Sequence, residues 1–335
     1  MIDTFEPERL RLARELRRLS QVNLAARSNL SAAAVSQFES GAARPALDTQ
    51  ALLANLLEVP RRFFGLPLVE THDGFFRSLR RTTVTDRRSA RAVAHIAHDI
   101  ATQLWARLPA SIPSLPVTSL ATDWPEIERI ASEARKVWHV AAGPAPNLVA
   151  LLEREGAAVL RLPLSSADVD AFSLPFPDHP VVVLASDKND RARSRFDAAH
   201  ELGHLIMHGE LLWGMPEIEK QAHQFAAAFL MPAGEIEPEL PRRVDWSILF
   251  ELKRKWQVSL AALLMRAKTL GRMTEATYLT AVKTASARGW RRVEPVPLGG
   301  PEFPGVLTRL LRGPSARELR GSLPGDVLDS IAAAI

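Results

Sequence analysis

One short string constrains this chain more than any other: His200-Glu201-Leu-Gly-His204, inside Phe196-Asp-Ala-Ala-His-Glu-Leu-Gly-His-Leu-Ile-Met-His208. The apolar residues around it suit a buried helix. On a helix, positions i and i+4 lie one above the other on one face, so both imidazoles can reach a single metal ion. Glu201, beside the first His, can then polarise a water at that metal, which is the chemistry of a zinc-dependent hydrolase. Chance would place His-Glu-x-x-His in such a chain only about 0.01–0.02 times. That rarity favours a metal motif over two histidines that merely share a core.

Zinc usually takes three protein ligands and leaves the fourth position to water. With no cysteine in 335 residues, every ligand must be His, Asp or Glu, and the chain suits a reducing compartment. His208 is a poor third ligand. A straight helix carries it about 12 Å along the axis from His200, too far for one ion. It is expected to orient a neighbour or line the pocket. Glu219 is the better candidate, on the helix predicted over 217–230. It lies three residues before Ala222 and seven before Ala226, on the buried stripe that continues through Phe225 and Phe229. A carboxylate on an apolar face costs free energy unless it is paired or bound to metal. Glu217 and His223 are alternatives that project elsewhere.

Charge divides the chain unevenly. The net charge is +4, yet residues 1–110 alone hold 16 arginines against 11 acidic residues. Six arginines (77, 80, 81, 87, 88 and 91) stand in one short run against Asp86. A basic front half suits a polyanionic partner, although a solvated arginine-rich face would read the same way. There is no apolar run of membrane-spanning length and the N-terminus is charged, so a cytoplasmic location without membrane attachment is expected.

The pattern predicts a mostly α chain with a small β-sheet, an α+β fold. Helical spacing covers 8–18, 21–27, 32–39 and 49–57, a unit of about 60 residues. Residues 66–90 read as a connector, and 88–108 regain helical spacing. Three prolines in Pro109 to Pro116 suggest a boundary. Gly156–Leu162 and Pro180–Ala185 read as short strands. Further helices are expected over 124–138, 191–208, 217–230 and within 246–285, followed by a helical tail. The predicted domains are 1–65, a basic connector and linker helix over 66–116, a domain over 117–290 and a tail over 291–335.

The front unit reads as helix, Gln-led helix, tight turn and Ser-capped helix. Its strings Leu19-Ser20-Gln21, Leu24-Ala25, Leu30-Ser31, Val35-Ser36, Phe38-Glu39-x-Gly41 and Pro45 resemble the Xre/phage-repressor helix-turn-helix family over residues 8–64. The resemblance implies that helix 31–39 enters the major groove of a double-stranded operator. Gln37 is the candidate for base readout. Ser31, Ser36 and Gln21 are candidates for phosphate contacts. Ala32 and Ala33 cannot hydrogen-bond a base edge and would meet thymine methyls or respond to DNA shape. A reader of two half-sites is expected to act as a homodimer.

The rest resembles the ImmA/IrrE metallopeptidases of the M78 type, from about residue 124 to 270. The strings that carry this are Gly143-Pro144, Asn147-Leu148-Val149, Arg195-Phe196 before His200-Glu201-Leu-Gly-His204, and Glu219-x-x-Ala222-x-x-Phe225-Ala226 ending Leu230-Met231-Pro232. The resemblance implies a zincin-like domain with one Zn2+ held by His200, His204 and Glu219, and Glu201 as catalytic base. His223 departs from the Asn common there and bears on the surroundings of the site. The oxyanion donor is not named by sequence; Tyr278, the only tyrosine, is a candidate, with a partly buried core tyrosine as its plainer reading. Trp256–Arg266 is expected to complete the domain in a winged-helix-like way, with Val258, Leu260, Leu263 and Leu264 in the core.

The family is associated with cleaving Xre-type repressors. The expectation is therefore a transcription regulator with a zinc endopeptidase in cis, answering stress or a mobile-element signal. Its substrate would be itself, a sister chain or a partner repressor, cut in a connector such as 66–116. The alternative is a regulator or antitoxin whose peptidase-like part only senses a metal or ligand.

Overall fold

The computed structural model describes residues 4–69, 71, 83–104, 123–164, 171–187, 189–208, 216–314 and 316–333. Arg77, Arg80 and Arg81, the stretch Pro109–Pro116 and much of the predicted connector lie outside the described residues. In chain order the helices are α1 (Pro7–Leu16), α2 (Gln21–Ser28), α3 (Ala32–Glu39), α4 (Leu47–Leu56), α5 (Val84–Leu104), α6 (Trp124–Val137) and α7 (Leu148–Arg154). Strands β1 (Ala158–Leu162), β2 (Ala171–Leu174) and β3 (Val181–Ala185) follow. Then come α8 (Arg191–Met207), α9 (Pro216–Leu230), α10 (Ala233–Ile236), α11 (Trp246–Trp256), α12 (Leu260–Thr269) and α13 (Glu275–Ala287). The last are α14 (Val306–Arg312), α15 (Ala316–Leu319) and α16 (Gly325–Ala333). No helix among the described residues is long and apolar enough to cross a membrane. The α+β class expected from sequence is what the chain adopts.

Two compact units emerge, and each draws on separate parts of the chain. The first joins α1–α5, the three strands and α14–α16 around one apolar core. That core includes Leu10, Leu24, Val35 and Phe63 from the front, Ile96 and Ile100 from α5, Val183 from the sheet, and Leu323 and Leu328 from the tail. The helix-turn-helix is set by caps. Ser20 accepts a hydrogen bond from Asn23 N at 3.0 Å, and Ser31 does the same for Ala34 N at 3.0 Å. Asn29 takes the left-handed conformation (φ 55°) that ends α2 and turns the chain into α3. Buried Arg14 grips Glu39 through both carboxylate oxygens, at 2.6 and 2.8 Å, which fixes α3 against α1. Arg9 binds Asp99 of α5 the same way, at 2.5 and 2.8 Å, and also donates to the carbonyls of Leu66 and Pro67. Arg17 reaches Asp326 of α16 at 2.5 and 3.0 Å.

Helix α5 starts earlier than its periodicity suggests, at Val84 rather than near 88. The Thr83 hydroxyl accepts from Asp86 N at 3.1 Å and donates to the Asp86 carboxylate at 2.6 Å, which starts the first turn. The sheet has the order β1-β3-β2. β1 runs parallel to β3 (Ala158 opposite Val181), and β2 runs antiparallel to it (Ala171 opposite Leu184). All five residues of β3 are buried, as a continuous apolar run in a central strand requires. β2, only four residues long, was not anticipated.

The second unit contains α6–α13. Asp123, Asn147, Asp190, Asp245 and Ser259 cap α6, α7, α8, α11 and α12 in turn. Buried arginines tie these helices through main-chain oxygens. Arg135 donates to the carbonyls of Phe229, Ala141 and Gly143, and Arg266 to that of Met231 while also pairing with Glu128. Arg195 holds the carbonyls of Ala145 and Pro146 at 2.8 Å each and pairs with buried Glu302. Glu302 in turn accepts from Leu148 N at 2.7 Å at the start of α7. Val258, Leu260, Leu263 and Leu264 are buried, as expected. α9 lies closely on α8 at Gly203, where a Cβ would sit 3.0–3.2 Å from the Phe225 ring. A glycine lets the Phe225 side chain come this close without displacement, where α9 packs on α8.

Candidate metal centre and nucleic-acid interface

On α8 the imidazoles of His200 and His204 stand with ring centroids 4.7 Å apart and their Nε2 atoms 3.1 Å apart. From α9, Glu219 brings Oε2 to 3.4 Å from His200 Nε2 and Oε1 to 3.9 Å from His204 Nε2. Ligands about 2.0–2.1 Å from a tetrahedral zinc are separated by about 3.3 Å. The three groups are thus close to the spacing such an ion needs, all their ligand atoms lying within 4.8 Å of one another. They form the metal-competent cluster found among the described residues, and Glu217, exposed at the start of α9, is not in it.

The hydrogen bonds behind the site fix which nitrogen faces it. Gln221 Oε1 lies 3.0 Å from His208 Nε2, and an amide oxygen only accepts, so His208 Nε2 carries the proton. His208 Nδ1 is then an acceptor, and His204 donates to it from Nδ1 across 3.0 Å. His204 Nε2 is left as a lone pair directed at His200 and Glu219. Burial, then the neighbouring histidines, hold the His204 pKa well below the ordinary range. Burial likewise pushes His208 down to about 4. Both rings are thus neutral near pH 7, the form that a metal ligand and its orienting partner require.

His208 stands behind His204 and outside the His–His–Glu group. Gln221 was missed. It is a polar residue on the stripe of Ile218, Ala222 and Phe225, and the structure leaves it only 2% exposed. Glu201 is buried next to His200, at 3% exposure. The buried Nδ1 of His200 has no hydrogen-bond partner among the described residues.

His223 packs edge-on against His200, with centroids 4.8 Å apart, and beside Phe196 at 5.2 Å. It lines a largely apolar cavity of about 610 Å³ with Trp124, Phe196, Ala227, Ala262 and Met265. Tyr278 sits on α13 under the Lys268 ammonium, 5.0 Å from its ring centroid. It belongs neither to the His–His–Glu group nor to the lining of this cavity.

In the first unit, α3 turns Ser31, Ala32, Ala33, Ser36 and Gln37 outward, all exposed, while Val35 and Glu39 are buried. The Gln21 amide donates to Glu39 at 2.8 Å, so it braces α2 against α3 as well as standing at the helix start.

A capped helix pair with a polar outer face beside α1 is a helix-turn-helix, and α8 and α9 bring two imidazoles and a carboxylate together in a group that could hold a metal ion. Comparison with protein families agrees on both counts. Residues 10–64 match the helix-turn-helix family HTH_3, and residues 152–268 match Peptidase_M78, the IrrE N-terminal-like domain. The chain therefore fuses an Xre-type helix-turn-helix domain to an IrrE/ImmA-like M78 domain. No curated protein matches it.

Proposed function

We propose that this chain is a cytoplasmic, DNA-binding transcription regulator carrying a zinc-dependent endopeptidase, with residues 1–65 reading an operator as a dimer and 117–290 carrying the hydrolase. The observation that carries this reading is the convergence of His200, His204 and Glu219 on one point, on a chain that also presents the outward face of α3. These three residues would hold one Zn2+. When bound, zinc supplies a Lewis acid and brings the pKa of a water toward neutrality. The Glu201 carboxylate accepts a proton from water and returns it to the leaving amine. His208 and Gln221 keep His204 in the tautomer that faces the site. The apolar cavity beside His223 and Phe196 gives an extended peptide a place to bury a side chain.

The proposed substrate is an Xre-type repressor: a partner, a sister chain or this chain, with segment 66–116 as the place to cut. Release of repression under stress or on a mobile-element signal would follow. Retention of both Glu201 and a complete ligand set favours cleavage over pure sensing, which needs the ligands alone.

The test is to incubate the purified full chain with zinc, alone and with an Xre-type repressor, and to identify fragments by intact mass. Cleavage that stops in Glu201→Gln supports the proposal. Intact chains throughout, or cleavage that persists in Glu201→Gln, would overturn it.

A further inference from the structure

In the first unit, α1, the start of α2 and α5 wall a charged groove of about 760 Å³. Arg11, Arg14 and Glu15 of α1 line it together with Arg87, Arg88 and Arg91 of α5. Charge on the α1 side is largely balanced. Arg11 pairs with Glu8 at 3.0 Å, and Arg14 with Glu39 at 2.6 Å. On the α5 side Arg87 and Arg88 line the groove, and Arg88 lies 3.6 Å from Glu15. The positive surplus of the groove therefore comes from α5.

These arginines stand on a rigid support. Asp86 of α5 pairs with Arg18 at 2.9 Å, Ser89 donates to the Leu16 carbonyl at 3.3 Å, and the following turns are buried through Ala92 and Ile96. The helix backbone that carries the arginines is therefore already ordered before a ligand arrives.

The position of the groove names the ligand. Ser20 and Gln21, at the start of α2, form its lip, and Gln21 is hydrogen-bonded to the end of α3 through Glu39. In a helix-turn-helix the first helix of the pair crosses the phosphate backbone while the second enters the major groove. A helix N-terminus adds main-chain N–H groups suited to phosphate. A strand passing the start of α2 thus meets the arginines of α5 next.

We infer that α5 is a second DNA-contacting element, and that the groove holds backbone phosphates flanking the bases read by α3, with Arg87 and Arg88 as the cations. This rests on the reading of residues 10–64 as a DNA-binding domain. It extends the contact surface beyond the helix-turn-helix and makes α5 a determinant of affinity but not of sequence.

The experiment uses the full chain and a random-sequence 30-bp DNA duplex, with affinity measured by fluorescence anisotropy across a KCl series. Each phosphate contact adds about 0.9 to the slope of log K against log[salt]. Arg87→Gln/Arg88→Gln should therefore lower the slope by about 1.8 and weaken binding by about 30-fold at 0.15 M salt. Arg87→Lys/Arg88→Lys keeps the charges and should retain the wild-type slope. A separate variant, Ser36→Glu/Gln37→Glu, places two carboxylates on the outer face of α3. If it binds DNA as well as wild type, the helix-turn-helix reading itself fails. If it loses binding while Arg87→Gln/Arg88→Gln keeps the wild-type slope and affinity, the inference about α5 fails alone. Equal losses in the Gln and Lys variants would mark a change of shape rather than of charge and would also overturn it.

Discussion

Replacing Gln221 by Leu touches none of the three groups that converge on the metal position, yet it should weaken zinc binding. The Gln221 oxygen 3.0 Å from His208 Nε2 is what assigns the proton of that ring. With Leu in its place, a neutral His208 can move its proton to Nδ1, which faces His204 Nδ1 at 3.0 Å. Two N–H groups cannot share that distance. His204 must then carry its proton on Nε2, the atom that would face the metal, or turn away. Loss of such an orienting partner typically lowers metal affinity 10–100-fold, about 1.4–2.7 kcal/mol. Gln221→Glu offers an acceptor in the same place and should stay within a few-fold of wild type. The assay is competition for zinc against a chromophoric chelator, with circular dichroism to show that each variant is folded. A Leu variant that binds zinc as tightly as wild type would refute the tautomer argument. So would equal losses in the Leu and Glu variants.

Other outcomes follow from packing and charge. Gly203→Ala drives a methyl to 3.0–3.2 Å from the Phe225 ring, so urea denaturation should find the protein destabilised by about 1–3 kcal/mol, with zinc affinity reduced as α9 is displaced. Glu39→Ala leaves buried Arg14 without its carboxylate, and the same measurement should show a loss of about 3–5 kcal/mol. His95 is buried on α5, and its Nε2 has no hydrogen-bond partner among the described residues. Burial, then Arg91, Arg9 and His98, push its pKa to about 3 from an ordinary 6.5. The folded protein thus refuses a proton that the unfolded chain accepts. Its contribution is full above pH 6.5 and is lost as pH falls toward 3, by up to about 1.4 kcal/mol per pH unit. Against wild type, His95→Leu should therefore show a shallower decline of stability between pH 6.5 and 4; parallel curves would contradict this.

The two parts of the chain were legible in sequence because each rests on local spacing. Ser20 and Ser31 are caps that can be read a few residues at a time. The i, i+4 histidines and the buried stripe of α9 placed His200, His204 and Glu219 before their distances were known. Less local features were hidden. β2 is a four-residue run whose pairing with β3 depends on a strand partner ten residues away, not on its own pattern. Gln221 has a role only once His208 has left the end of α8 and turned its ring toward it. That α5, the sheet and α14–α16 share a core with the front helices depends on pairs such as Arg9–Asp99 and Arg17–Asp326, and no periodicity connects residues so far apart. The arginine run was visible as charge. Its placement beside the start of α2, through Arg87, Arg88 and Arg91, was not.

The central claim is that His200, His204 and Glu219 hold one zinc while Glu201 moves the proton. It is tested most directly by measuring zinc content and repressor cleavage on the same preparation of Glu201→Gln. The account predicts one zinc per chain and no cleavage. A preparation that cleaves, or one that is folded but holds no zinc, would contradict it.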